Sequence, residues 1–489
     1  MKAYKDLSKD ELLKLKDELT QQYEDKKALG LRLNMARGKP AAAQLNLTMD
    51  MLDTVNSASD MLASDGTDSR NYGCLDGLPE TKKLMADMMG TNPENVIVFG
   101  NASLTIMYDS VSRSYTHGVC GNTPWCKLDK VKWLCPVPGY DRHFAITEHF
   151  GIEMINIPMT QDGPDMDLVE KYVNNDESVK GIWCVPKYSN PQGVVYSDET
   201  VKRFANLKPA AKDFRIYWDN AYVIHHLYDD NQAELLDIVG ECAKAGNPDM
   251  VYEFASTSKV SFPGSGIAAM ATSAANIADV KKTMTIQTIG HDKINQLRHV
   301  RYFKDINGLK AKMKAHAEIM RPKFEATLKV LEDELSGLEV GTWVKPYGGY
   351  FISFDAMEGC AKRIVSLCKE AGLPPLAMDI LLFLANNPEH NTAKDICRMR
   401  GHKSGIVSVH VERLVNDGLL ERREMPGDRR QTRLICTEQA QALIERGRQV
   451  QWQFGRRLLE GIPEEDLATM RRCLERMDGN LNGICKEKR

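Results

Sequence analysis

Between residues 164 and 260 the chain alternates two hydrophobic patterns. Residues 181–186, 214–219 and 250–255 are short, nearly continuous apolar runs, and residues 198–208 and 233–245 between them carry apolar positions at helical spacing. Short continuous apolar runs fit strands buried on both faces, and their alternation with helices predicts a mostly parallel sheet covered by helices, with polar chemistry at the C-terminal ends of the strands. Upstream, residues 95–100 read as a further buried strand running into a helix at Ser103, and residues 133–137 as a strand ending in a turn. Residues 7–28 alternate apolar and charged positions at helical spacing, with Ser8 and Glu11 placed as a capping box. Helices are also expected from Leu78-Pro79-Glu80 onward and over residues 360–371.

The pattern changes after residue 373. Residues 376–386, 392–399 and 404–419 read as three helices, the last with Ile406, Val409, Val411, Leu414 and Val415 on its apolar side. Residues 420–435 form two strand-like arms around Pro426-Gly427-Asp428, with arginines on both arms, and helices follow over 437–457 and 464–477. Composition shifts at the same place: 33 Lys and 11 Arg precede Pro374, whereas 4 Lys and 16 Arg follow from it onward. Neither half demands such a swing, so two ancestries joined near residue 373 are inferred. The tail carries net charge +3 against −6 for the rest, which suits a nucleic-acid partner.

Other bulk properties narrow the class. At 489 residues the chain should hold two or more domains, and its 43% hydrophobic content is that of a globular protein. A net charge of −3 argues against a polyanion partner for the whole molecule. No uninterrupted apolar run reaches membrane-spanning length and no signal-peptide pattern opens the chain, so no membrane partner and a cytoplasmic location are expected. The 12 cysteines are scattered and read as reduced; Cys120 and Cys126 lack a second pair or a nearby His, so no metal is expected.

The candidate chemistry sits at the ends of the apolar runs. Lys259 lies in Ser256-Thr257-Ser258-Lys259, where hydroxyls can bind a phosphate and the amine can form a Schiff base with an aldehyde cofactor. Asp219 ends an apolar run and Tyr222 follows three residues on; such a carboxylate can hold a pyridinium nitrogen protonated, and the phenol can reach a ring hydroxyl. Asn190, in Asn190-Pro191-Gln192-Gly193, can donate to the same ring oxygen. Asn101-Ala102-Ser103 opens a helix whose free N–H groups, with the Ser hydroxyl, make a phosphate seat, although Ser103 is equally suited to an ordinary N-cap. Each motif alone is common turn chemistry; the set in this order is specific.

In that order these residues resemble the fold-type I, class I/II aminotransferases that use pyridoxal 5′-phosphate. Within them the chain is similar to the bacterial aspartate-aminotransferase-like group, through Met35-Ala36-Arg37-Gly38-Lys39-Pro40, Arg70-Asn71-Tyr72-Gly73, Gly77-Leu78-Pro79-Glu80, Pro138-Gly139-Tyr140-Asp141-Arg142-His143 and Pro346-Tyr347-Gly348-Gly349-Tyr350-Phe351. The resemblance implies amino-group transfer between an amino acid and a 2-oxoacid, with Lys259 as Schiff-base amine and general base, and Asp219 and Tyr222 as its catalytic company. It implies cofactor contacts from Asn101, Ala102, Ser103, Tyr140, Asn190, Ser256 and Ser258, and from Tyr72 across a homodimer interface. The ring-stacking position falls on Val137, Tyr140 or His143, and Arg37 and Gly38 border the substrate mouth. Two departures stand out. No arginine follows Pro263-Gly264 to grip the phosphate, and the resemblance ends before the segment that carries the guanidinium for the substrate α-carboxylate in the family. The implied layout is an N-terminal arm with part of a small domain (residues 1–50), a cofactor-binding domain (51–300) and a truncated small domain (301–373).

Residues 374–489 resemble the MarR family of winged helix-turn-helix regulators, with Asp428-Arg429-Arg430 matching the wing signature. That likeness implies a double-stranded DNA partner. Lys403, Ser404, Ser408, His410 and Arg413 would face the major groove, and Arg429 and Arg430 the minor groove or phosphates. The expected whole is an aminotransferase fused to a DNA reader; a transcription regulator that uses the first part as a sensor, with little turnover, is the other reading.

Overall fold

The computed structural model describes residues 3–28, 38–370, 375–400, 404–425 and 428–458, together with residues 466, 469, 470, 472 and 476. The chain divides into two units, Met1–Leu12 with Met35–Ala361, and Leu13–Asn34 with Lys362–Arg489.

The first unit is built on an eight-stranded sheet. Its strands are β1 (Val96–Val98), β2 (Lys132–Val137), β3 (Glu153–Thr160), β4 (Gly163–Pro164), β5 (Val179–Cys184), β6 (Arg215–Asp219), β7 (Val251–Ser256) and β8 (Ala268–Ala271), in spatial order β1-β8-β7-β6-β5-β2-β3-β4. From β7 through β6, β5 and β2 to β3 all pairings are parallel. β8 runs antiparallel to both β7 and β1, which turns β1 back into line with the parallel set. The C-terminal ends of β1, β2, β5, β6 and β7 therefore share one edge, as expected of a mostly parallel α/β sheet.

β5, β6 and β7 are buried at every position. Successive residues face opposite sides, and the two sides differ in kind. Leu134, Ile182, Ile216 and Val251 join one core, while Trp133, Trp183, Tyr217 and Tyr252 join the other. On the aromatic side the Trp133, Trp183 and Tyr217 rings pack with centroids 4.9–5.0 Å apart. Gly181 leaves the room this needs, because a Cβ there would enter the Trp133 ring.

The covering helices are shorter than the spacing suggests. The helix expected over 198–208 spans Asp198–Ala205, started by Ser197, whose Oγ accepts the Thr200 N–H at 3.2 Å. The one expected over 233–245 is corrected to Ile238–Lys244: the Asp237 carboxylate caps its start, and the Ala233 N–H upstream is taken by the Tyr188 hydroxyl at 3.1 Å. The N-terminal helix Lys9–Ala28 has the expected capping box, with the Ser8 N–H donating to Glu11 Oε2 at 2.7 Å and the Glu11 N–H to Ser8 Oγ at 3.3 Å. Beyond the sheet lie the 30-residue helix Ile306–Leu335 and an antiparallel pair, β9 (Gly341–Trp343) and β10 (Phe354–Ala356).

In the second unit, Tyr23 donates its hydroxyl to the Leu367 carbonyl on helix Ala361–Glu370. Helices Pro375–Asn386, Ala393–Arg400 and Ser404–Asn416 lead into the ribbon β11 (Leu420–Met425) and β12 (Asp428–Cys436), then helix Gln441–Leu458. The helix expected to run to 419 stops at Asn416 because Gly418 turns the chain at φ +71°. Its buried side carries Val411 and Leu414, as expected, and Val407, which the sequence reading passed over. These pack with Ile380, Ile396, Leu420, Leu434 and Ile444 into the unit's own core. The helix expected over 464–477 lies largely outside the described residues. No described helix is long and apolar enough to cross a membrane, and the described cysteines are free.

Candidate active site

The strand ends of the first unit open into a cavity of ≈ 680 Å³, within the range of small-molecule sites. Asp219, the last residue of β6, stands in its lining with its side chain 6% exposed. Its Oδ2 meets His143 Nε2 at 3.0 Å, and the His143 ring lies flat on Trp183 with centroids 4.7 Å apart. Asp219 Oδ1 is buried and has no hydrogen-bond partner. An orphaned buried carboxylate oxygen is costly, and a protonated ring nitrogen entering the cavity would satisfy it.

Lys259 follows β7 by three residues and its amine sits 4.8 Å from the centroid of the Tyr222 ring. Burial lowers the pKa of that amine, with the Asp219 carboxylate pulling the other way. The Tyr222 phenol is pushed up, first by burial and then by Asp219. A desolvated lysine is closer to the neutral nucleophile that carbonyl chemistry needs.

Helix Ser103–His117 presents its N-terminus to the same cavity. Its cap is Ala102, which offers no side-chain bond to the first N–H groups, so Ser103 is the first helical residue and not the N-cap. Ala102 and Ser103 share the lining with Ser256 and Ser258, whose hydroxyls are linked at 3.0 Å. Exposed N–H groups at a helix start beside two hydroxyls fit a phosphate. The residues present therefore match the amine, ring-nitrogen and phosphate requirements of pyridoxal 5′-phosphate.

Of the residues expected from sequence, Lys259, Asp219, Tyr222, Ala102, Ser103, Tyr140, Asn190, Ser256, Ser258 and Gly38 line this one cavity. Asn101 does not: it is exposed, and only its carbonyl takes part, accepting the Ser258 hydroxyl at 3.2 Å. Tyr72 is 81% exposed and borders a separate depression with His291 and Lys293. Arg37 lies outside the described residues. Of the three stacking alternatives, His143 is bonded to Asp219 and stacked on Trp183, Val137 is not in the lining, and Tyr140 is in it, together with the aromatic rings of Tyr222 and Phe351. The cavity also contains Lys39, Met107, Arg142, Pro263 and Phe351, to which the sequence reading gave no role. Gly38 is tight against Phe351, where a Cβ would lie 2.7 Å from the ring.

On the expected DNA-facing helix, Ser408 is exposed, His410 is half-buried and Arg413 pairs with Asp417 at 3.5 Å. Lys403 and the side chains of Ser404, Arg429 and Arg430 lie outside the described residues.

An α/β sheet that delivers these groups to one edge defines the aminotransferase-like domains that work with pyridoxal 5′-phosphate. The chain belongs to the aspartate aminotransferase family: residues 7–392 match its family model, described as aspartate amino-transferase. An aspartate aminotransferase of Corynebacterium glutamicum is 43% identical over 379 residues, 77% of this chain and 87% of that protein. The crystal structure of an aspartate transaminase from the same species aligns with a TM-score of 0.73 at 43% identity, covering 75% of this chain and 86% of the other. A relative from Mycolicibacterium smegmatis is 45% identical over 373 residues, 76% of this chain and 87% of its own length. Residues 371–431 match the MarR family model. An uncharacterized HTH-type transcriptional regulator of Bacillus subtilis is 27% identical over 104 residues, 21% of this chain and 63% of that protein.

Proposed function

We propose that the chain is a pyridoxal 5′-phosphate-dependent aminotransferase of aspartate-like type, joined near residue 373 to a DNA-binding unit, and that it acts as a cytoplasmic homodimer. The observation that carries the reading is Asp219 Oδ1, buried without a partner in the cavity that holds the Lys259 amine. The cofactor, when bound, supplies a protonated ring that takes up the electron pair left at Cα. The protein residues divide the remaining work. His143 holds Asp219 in one orientation, so its free oxygen keeps the proton at the ring nitrogen. Ser256, Ser258 and the N–H groups at Ser103 would hold the phosphate, and Asn190 and Tyr222, which share the cavity lining, would bond the ring oxygen. Lys259, its charge disfavoured by burial, tethers the cofactor and, once released, carries the proton away from the substrate Cα.

The test is to mix protein, cofactor and aspartate, then assay 2-oxoacid formation and retention of a fragment of the protein's own promoter as separate readouts. A visible absorption band lost in Lys259→Ala, with turnover, is expected. A second reading is a regulator that senses the cofactor or an amino-acid adduct and turns over little; it is favoured by the loss, near residue 373, of the family segment that carries the guanidinium for the substrate α-carboxylate. DNA retention without turnover would select it, and turnover without retention would exclude it.

A further inference from the structure

Under the reading just proposed, both substrates bring an α-carboxylate to the reacting carbon. An ionised carboxylate loses its hydration in a partly enclosed cavity and needs a cation in return. Three cationic side chains line the cavity among the described residues: Lys39, Arg142 and Lys259. Lys259 is committed to the cofactor, and the lining carboxylates of Asp141 and Asp219 would repel a substrate acid, so a free cation is required.

Arg142 is placed to be that cation. It is the second residue of helix Asp141–His149, immediately before His143, whose bond to Asp219 and stack on Trp183 tie the first turn of the helix to the cavity floor. The side chain is exposed where the cavity adjoins a shallow depression lined by Leu104, Tyr108 and Ile146. Its guanidinium has no hydrogen-bond or ion-pair partner among the described residues, unlike Arg113, Arg203 and Arg298 elsewhere in the unit. A planar guanidinium can offer a carboxylate two parallel N–H donors and so binds it more tightly than the Lys39 ammonium, which offers only a point charge.

We propose that Arg142 is the residue that grips the substrate carboxylate in this chain. The assignment rests on the aminotransferase reading and adds the anion-binding group to it.

The experiment uses cofactor-loaded protein and succinate, which is aspartate without its amine and so binds without reacting. Calorimetry should show succinate binding to the unmodified protein, weakened at least tenfold in Arg142→Gln and less than threefold in Lys39→Gln. In turnover, Arg142→Gln should raise KM for aspartate by a similar factor with little change in kcat, the signature of lost uniform binding, and Arg142→Lys should recover part of it. Affinity of the cofactor-free protein for pyridoxal 5′-phosphate should stay within threefold in Arg142→Gln. A tenfold loss of cofactor affinity there would move Arg142 to the phosphate seat and overturn the assignment. So would unchanged succinate affinity in Arg142→Gln, a larger effect in Lys39→Gln, or no succinate binding by the unmodified protein. Cofactor uptake is read from the visible band before succinate is added. Its absence is the failure of the aminotransferase reading, and Arg142 then falls with it.

Discussion

Glu253 provides a quantitative test of how the strands behind the site are held. It lies on β7, three residues before Ser256, and is 2% exposed. Its Oε1 accepts the Asn220 amide at 2.8 Å, next to Asp219. Burial pushes its carboxyl from an ordinary 4.5 up to about 8; the Asn220 bond pulls it down and the Asp237 charge raises it further. Between those two values the folded protein keeps a proton that the unfolded chain releases. The stabilisation is therefore complete below pH 4.5 and is lost as pH rises toward 8. At about 1.4 kcal/mol per unit, the interval from pH 5.5 to 8.5 should remove about 3 kcal/mol. Glu253→Gln keeps an acceptor for Asn220 and cannot ionise, so its advantage over the parent should grow by about that amount across the interval. Urea midpoints read by tryptophan fluorescence at the two pH values measure it, and other titrating groups cancel in the difference. Parallel pH dependence of the two proteins, within about 1 kcal/mol, would show that Glu253 is not held protonated and refute the reasoning.

Asp219→Asn replaces the buried charge with a neutral amide at the same place. It should lower kcat at least a hundredfold while leaving the far-ultraviolet spectrum unchanged; activity within tenfold would deny Asp219 its role at the ring nitrogen. Lys259→Ala should abolish cofactor retention through gel filtration under denaturing conditions after borohydride treatment, and retention that persists would place the tether elsewhere. Gly181→Ala drives a methyl into Trp133, and overpacking of this kind costs about 1–3 kcal/mol, which a fall in the urea midpoint would register. Ser408→Glu places a negative charge on an exposed position of helix Ser404–Asn416, so retention of the promoter fragment should weaken at least tenfold if that face meets phosphates, with no change in aspartate turnover.

Strands β5, β6 and β7 were legible because each is a short apolar run cut off by polar residues, and a parallel sheet buried on both faces writes that pattern directly. For the same reason the sequence pattern alone puts Asp219, Ser256 and Lys259 at or just beyond the strand ends. What the pattern did not carry is chosen by contacts between distant segments. His143 was read as one of three stacking alternatives, yet its ring lies against Trp183, 40 positions away in the chain, with its nitrogen on Asp219. The apolar spacing over 233–245 began at Ala233, whose backbone N–H goes to the Tyr188 hydroxyl rather than into a helix. Gly181 looked like any small residue until Trp133 from the neighbouring strand filled its space. Arg142, in Pro138-Gly139-Tyr140-Asp141-Arg142-His143, has no role legible in the sequence, because only the fold shows that this exposed arginine borders the cavity. Local hydrophobic pattern thus specifies which residues reach the active edge of the sheet. The partner of each, and hence whether a charge is satisfied or left open for a ligand, depends on the strand order, which places neighbours that lie far apart in sequence.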